Sequence, residues 1–262
     1  MSSDTKERLT NIPPNTTFMF GAGGHARELS EFVLHNQSMS GGNNESCIVY
    51  VTPTGTEKVL RTHKPNIAVF DNLGTSPDDE FFDTITENEF IGMLESEEAQ
   101  DNPTSASVVL GIGSPKIREK VVYRLQKYRN IHYQNFYAVG SHISKFSWER
   151  FCPETFTGLI VGPGCVITVG VSVGQHVHLN TSCTLCHDVN IGDFSIIGPG
   201  SVICGNVDIG KRCCIGAGAT VIDNVSITDD VTLGAGATVV ENITKPGTYV
   251  GTPAKFLKQG SL

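Results

Sequence analysis

The chain has 262 residues, room for one large domain or two modest ones. Its formal net charge of −8 argues against a nucleic-acid partner, and no basic run suggests a groove for a phosphate backbone. No apolar stretch is long enough to span a bilayer. Residues 1–15 are polar and charged, without the apolar core of a signal peptide, and read as a disordered tail. The expectation is a cytoplasmic protein with no membrane insertion.

The next segments follow an α/β pattern. Residues 17–20 (Thr-Phe-Met-Phe) read as a short buried strand. Gly21-Ala22-Gly23-Gly24-His25 follows as a tight turn, and 26–35 as a helix. Strand, glycine turn and helix N-terminus together make a phosphate-accepting arrangement, because unpaired backbone N–H groups and the helix dipole face the ligand. The turn is not a full GxGxxG, and the next strand (47–51) ends without the acidic residue that would hold a ribose. Residues 71–103 are acidic and read as an irregular surface excursion. A third buried strand is expected over 107–112. Gly113-Ser114-Pro115 then turns into a helix over 116–127, with proline near its start. Residues 136–157 read as connecting chain. The expected division is a Rossmann-like domain over 16–140, a linker over 141–160, a left-handed β-helix over 161–250, and a tail over 251–262.

From Val161 the pattern changes. Steps of six meet Val, Ile or Leu at fourteen consecutive stops, from Val161 through Leu185 and Ile203 to Val239. Neither a helix nor an ordinary strand keeps that register, whereas a stacked hexapeptide β-helix does. Three residues after each stop stands a corner residue. These sort by eighteen into columns: Gly164, Ser182, Gly200, Gly218, Gly236; Gly170, Asp188, Asn206, Asn224, Asn242; and a mixed set of His176, Phe194, Arg212, Asp230. Gly, Asn and Asp tolerate the left-handed backbone that such corners need. Residues eighteen apart should therefore stack at about 4.8 Å. The position after each corner is small or β-branched, as in Cys165, Val171, Cys183 and Ala219, and fits a narrow interior.

Of the eight cysteines, Cys183 and Cys186 have zinc-ribbon spacing, but no second pair accompanies them and the repeat explains both. Reduced thiols and no metal are expected. One hexad carries chemistry: Leu185-Cys186-His187-Asp188-Val189-Asn190. His187 stands beside a corner, next to an acid, with Gly205 beneath it on the following coil. A base beside an unobstructed backbone N–H is minimal equipment for acyl transfer, and a decorated scaffold corner is the alternative.

The chain resembles the hexapeptide-repeat acyltransferases of the sugar O- and N-acetyltransferase group typified by PglD and NeuD. The resemblance rests on Phe20-Gly-Ala-Gly-Gly-His25, the segment 110–118, Asn180-Thr181, His187-Asp188, Cys204-Gly-Asn206, Ile215-Gly-Ala-Gly-Ala219 and Val250-Gly-Thr-Pro-Ala254. It implies a homotrimer that binds acetyl-CoA between protomers and a nucleotide-linked amino sugar, of the 4-amino-6-deoxy kind, in the N-terminal domain. His187 is then the general base, Asp188 its acidic partner, and Gly205 the N–H donor to the thioester oxygen. Ala217 and Ala235 match contacts to the pantetheine arm. Gly23, Gly24 and His25 match the turn around the diphosphate, and Gly113 and Lys116 a second nucleotide contact. Lys255 and Lys258 match either CoA phosphates or a solvated tail.

Two departures stand out. The cofactor-side position nine residues after the base, often histidine in relatives, is Ile196. Val51-Thr52-Pro53 stands where uracil-binding relatives have an acidic pair, which leaves UDP, dTDP and GDP open. The enzymatic alternative is sugar O-acetylation of the sialic-acid type. The remaining alternatives are a β-helical carbonic anhydrase using His176, His178 and His187, and a non-catalytic scaffold.

Overall fold

A computed structural model describes residues 17–20, 29, 48–52, 59–60, 69–70, 84–98, 106–148 and 157–259. The chain divides into two compact units, one of Met1–Gly113 with Val121–Gln134, the other of Ser114–Lys120 with Asn135–Leu262. Among the described residues, no helix is long and apolar enough to cross a membrane.

The first unit is built on β1 (Thr17–Phe20), β2 (Ile48–Thr52), the short pair β3 (Val59–Leu60) and β4 (Val69–Phe70), then β5 (Thr84–Thr86), β6 (Ala106–Leu110) and β7 (Ile131–Tyr133). Five of these form one parallel sheet in the order β5-β2-β1-β6-β7. Phe18, Phe20, Val108 and Leu110 pack into one core cluster, while Met19 and Val109 on the alternate face are equally buried. Burial on both faces is what a parallel sheet requires, and it explains why β1 and β6 read as continuous apolar runs. Of the helix expected over 26–35 only Leu29 is among the described residues, and Gly23, Gly24 and His25 lie outside them.

Residues 71–103 depart from the expected irregular excursion. They contain β5, which pairs in parallel with β2, and helix α1 (Glu87–Glu98). Phe90 and Leu94 of α1 are fully buried, and the Phe90 ring packs against Phe18 and Phe20 at 4.9 and 5.2 Å. The acidic residues of that helix concealed an apolar stripe one turn apart. The third expected strand is β6, and the helix after Gly113 is α2 (Pro115–Leu125).

The second unit is a parallel β-helix with three faces. Two-residue strands eighteen apart pair in parallel around it, as in Thr184↔Val202↔Thr220 and Leu185↔Ile203↔Val221. The first face runs through 160–161, 178–179, 196–197 and 214–215, the second through 166–167, 184–185, 202–203, 220–221 and 238–239, and the third through 172–173, 190–191, 208–209 and 226–227. All fourteen hexad aliphatics lie in one core cluster, none more than 5% exposed. The corners follow the same count: every sixth residue from Gly164 to Gly236 has a φ between 53° and 75°. Asn242 is the exception to the expected column. It is not left-handed, and its Oδ1 accepts the Ser226 N–H at 2.9 Å.

Two boundaries move. Phe136–Tyr137 pairs with Ile160–Val161, and His142–Ile143 with Val166–Ile167, so the presumed linker belongs to the first coil, which also carries α3 (Lys145–Trp148). At the other end, Lys255–Lys258 is a strand antiparallel to Gly247–Val250 rather than a loose tail.

The three faces present different outer surfaces. On the third, Ser172, Asn190 and Asp208 hydrogen-bond along the column. On the first, His178, Ile196 and Thr232 are buried. The second is a row of β-branched side chains, Val166, Thr184, Val202, Thr220 and Thr238, with Val166 still 37% exposed.

Candidate active site

The second corner, between the second and third faces, carries the reactive hexad. His187 Nδ1 lies 3.1 Å from Asp188 Oδ2, with both side chains more than half exposed. A carboxylate can only accept, so in the neutral imidazole this bond puts the proton on Nδ1 and leaves the Nε2 lone pair available. The imidazole lies over Gly205: a Cβ there would stand 2.5 Å from both Cε1 and Nε2. The eighteen-residue stack expected from sequence is therefore real, and any side chain at 205 would displace the ring.

The Gly205 N–H differs from its expected open state. It donates to Asp223 Oδ1 at 2.9 Å, one coil further on. The third corner uses the same device twice, Gln175 N–H to Asp193 at 3.0 Å and Lys211 N–H to Asp229 at 2.9 Å. A carboxylate accepting the turn N–H from the coil before is thus a recurring staple of this β-helix. Asp223 was absent from the sequence reading, although extending the His187–Gly205 column by one more step reaches it. Cys186 and Cys204 flank the site in a neighbouring column, both partly exposed. Burial first, then the charges of Asp223 and Cys186, push the Cys204 thiol up, which leaves it a weak nucleophile.

Ala217 and Ala235 are exposed, but at the first corner, the opposite edge of the second face from His187. Beside them Gly218 and Gly236 leave open space where a Cβ would be. Ile196 lies on the first face and is only 8% exposed. Gly113 is exposed, and Lys116 is paired with Asp230 at 3.4 Å. Lys255 is paired with Glu241 at 2.9 Å.

His176 and His178 do not join His187. Both are buried, and the His176 ring stacks on Phe194 at 5.1 Å. Burial pushes His176 down to about 4, with the Arg118 charge adding to the effect. Arg118 itself was missed from sequence. It is fully buried and donates to the carbonyls of His176 at 3.0 Å, Phe194 at 2.5 Å and Ser195 at 3.4 Å. A lone arginine in a helix gives no signal that its partners lie roughly sixty to eighty residues away.

Residues 188–222 match the family model for the bacterial transferase hexapeptide, six repeats. No curated protein sequence matches the chain. The acetyltransferase domain of PglB from Neisseria gonorrhoeae is similar at 22% identity over 93% of this chain and 100% of that one, with a TM-score of 0.64. WeeI from Acinetobacter baumannii is similar at 21% identity over 92% and 99%, with a TM-score of 0.68. A mutant perosamine N-acetyltransferase from Caulobacter crescentus, in complex with CoA and GDP-perosamine, is similar at 19% identity over 93% and 97%, with a TM-score of 0.61. At these identities the likeness establishes the fold, and the three-faced coil fits a left-handed β-helix.

Proposed function

We propose that this chain transfers the acetyl group of acetyl-CoA to the amine of a nucleotide-linked amino sugar, of the 4-amino-6-deoxy type. The observation that carries the proposal is the His187–Asp188 pair at the second corner, with Nδ1 tied to the carboxylate and the ring laid over Gly205. Support comes from a fold shared along nearly the whole chain with an acetyltransferase domain and with a perosamine N-acetyltransferase, the latter in complex with CoA and GDP-perosamine.

Acetyl-CoA supplies the acyl group as an activated thioester. His187 Nε2 accepts the proton that the sugar amine sheds as its nitrogen attacks the carbonyl carbon. Asp188 favours the imidazolium that forms, because its negative charge lies against Nδ1. The proton on His187 then passes to the departing sulfur. Gly205 serves the carbonyl oxygen by releasing its N–H from Asp223, or by sharing it between the two acceptors.

Ala217 and Ala235 are assigned to the pantetheine arm, whereas Ile196, the other cofactor position expected from sequence, is buried on the first face and offers it little surface. A face of five or six residues is roughly 15–20 Å wide. The first and second corners of one chain are therefore too far apart to meet one thioester. A homotrimer that sets the first corner of one protomer beside the second corner of the next brings them together. The N-terminal unit is assigned to the sugar nucleotide as a Rossmann-like domain, with Gly23, Gly24 and His25 at the diphosphate and Gly113 at a second nucleotide contact. Lys116, matched to the same second contact, is held by Asp230 and must leave it to bind a nucleotide.

The test is thiol release from acetyl-CoA offered with UDP-, dTDP- and GDP-linked 4-amino sugars and with free sialic acid. Turnover with an amino-sugar nucleotide is expected, and His187→Ala is expected to lower kcat at least about a hundredfold. Turnover with the hydroxyl acceptor alone would overturn N-acetylation, and full activity in the variant would remove His187 from the chemistry.

A further inference from the structure

The second corner stacks Gly170, Asp188, Asn206 and Asn224, all left-handed, with φ of 75°, 58°, 55° and 62°. Backbone conformation therefore does not explain the glycine, since the column itself shows aspartate and asparagine meeting the same requirement three times. Space does explain it. A Cβ on Gly170 would stand 2.3 Å from Asp188 Oδ1 and 3.2 Å from its Cγ. The Asp188 carboxylate occupies the volume that a side chain at 170 would fill, and its other oxygen, Oδ2, lies on His187 Nδ1 at 3.1 Å.

Where this column has two amide side chains in succession, they bond along it: Asn206 Nδ2 donates to Asn224 Oδ1 at 3.3 Å. An asparagine at 170 would offer Asp188 the same bond and draw its carboxylate away from the imidazole. We propose that Gly170 is a positioning residue for the His187–Asp188 pair, keeping the Asp188 carboxylate on Nδ1. His187 is thus bracketed by two glycines: Gly205 makes room for the ring, and Gly170 makes room for the acid that orients it. The catalytic part of this proposal rests on His187 acting as general base, while the geometric part does not.

Gly170→Asn in the full chain tests it, because asparagine keeps the left-handed corner and adds only the side chain. With nitrogen-15-labelled histidine, the NMR signals of His187 report which ring nitrogen holds the proton. The wild-type ring is expected to hold it on Nδ1. In Gly170→Asn the proton is expected to spread to Nε2, and kcat to fall roughly ten- to hundredfold with the KM for acetyl-CoA unchanged. Added to Asp188→Asn, the substitution is expected to cost nothing further, since Gly170 acts only through that carboxylate. Gly140→Asn, at φ 87° with open space around its Cβ position, is expected to leave ring and rate unchanged. Gly170→Ser, a residue this β-helix already carries in a left-handed corner at Ser182, is expected to shift the proton in the same direction and covers misfolding of the asparagine variant.

An unchanged tautomer in Gly170→Asn, or a loss that adds in full to that of Asp188→Asn, overturns the proposal. A wild-type chain that turns over none of the acceptors overturns the proposed function instead, and the tautomer still decides the role of Gly170.

Discussion

At the third corner two basic side chains are buried for opposite reasons. Arg118 keeps its charge although burial pushes it down to about 9, because main-chain carbonyls surround the guanidinium. Those carbonyls belong to corner residues, where the left-handed backbone turns C=O groups away from the sheet ladders. His176, packed on Phe194, is neutral at pH 7 with its pKa pushed down to about 4. Its ordinary value is 6.5, so between about 6.5 and 4 the unfolded chain takes up a proton that the folded chain refuses. The contribution of His176 to stability is complete above 6.5 and is lost as pH falls through that window. The melting temperature is accordingly expected to drop from pH 7 to pH 4, and His176→Asn, which suits the left-handed corner, to flatten that slope. A slope unchanged in the variant would assign the loss to other groups.

The coil is the natural element of the second unit, and its energetics are those of a narrow column. Ile203 is fully buried between Leu185 and Val221, one coil to either side. Strands of two residues contribute few hydrogen bonds each, so interior packing carries much of the stability. Ile203→Ala is expected to cost about 2–5 kcal/mol in denaturant unfolding of the full chain, because a prism closed by neighbouring coils cannot collapse onto the gap. A cost below about 1 kcal/mol would show that the coils relax. The hexad register made these interior positions legible, as it did every corner from Gly164 to Gly236. It concealed the first coil. Tyr137 and Ile143 stand in step with Val161 by sixes, but Glu149 and Thr155 interrupt the series. The pairing jumps twenty-four residues there instead of eighteen.

At the scale of the whole molecule, the three outer faces of the β-helix differ in what still covers them. The first is buried within the chain, and the third is polar and cross-linked along its column. The second is β-branched and lies between the corner bearing His187 and the corner bearing Ala217 and Ala235. That face is the one on which the proposed trimer depends. Val202→Arg, an outward position at its middle, is expected to shift light-scattering mass from about three copies to one and to abolish acetyl transfer while the melting temperature holds. A variant that stays trimeric, or a monomer that stays active, would remove this face from the site.

Periodicity alone determined that the last hundred or so residues form a stacked coil, which side chains point inward, and that His187 stands over Gly205. Those relations depend on a fixed count, and the count is written in the chain. The tertiary structure decided what the count does not reach. It turned the Asp188 carboxylate into the space left by Gly170, gave the Gly205 N–H to Asp223, and placed Arg118 beneath the third corner. It also placed α1 in the core of the first unit through Phe90 and Leu94. Each of these is a matter of side-chain direction or of contact between distant segments, and neither follows from spacing. The periodic half of the chain could be read in advance because its neighbours are set by arithmetic, whereas the N-terminal half required the fold to bring its residues together.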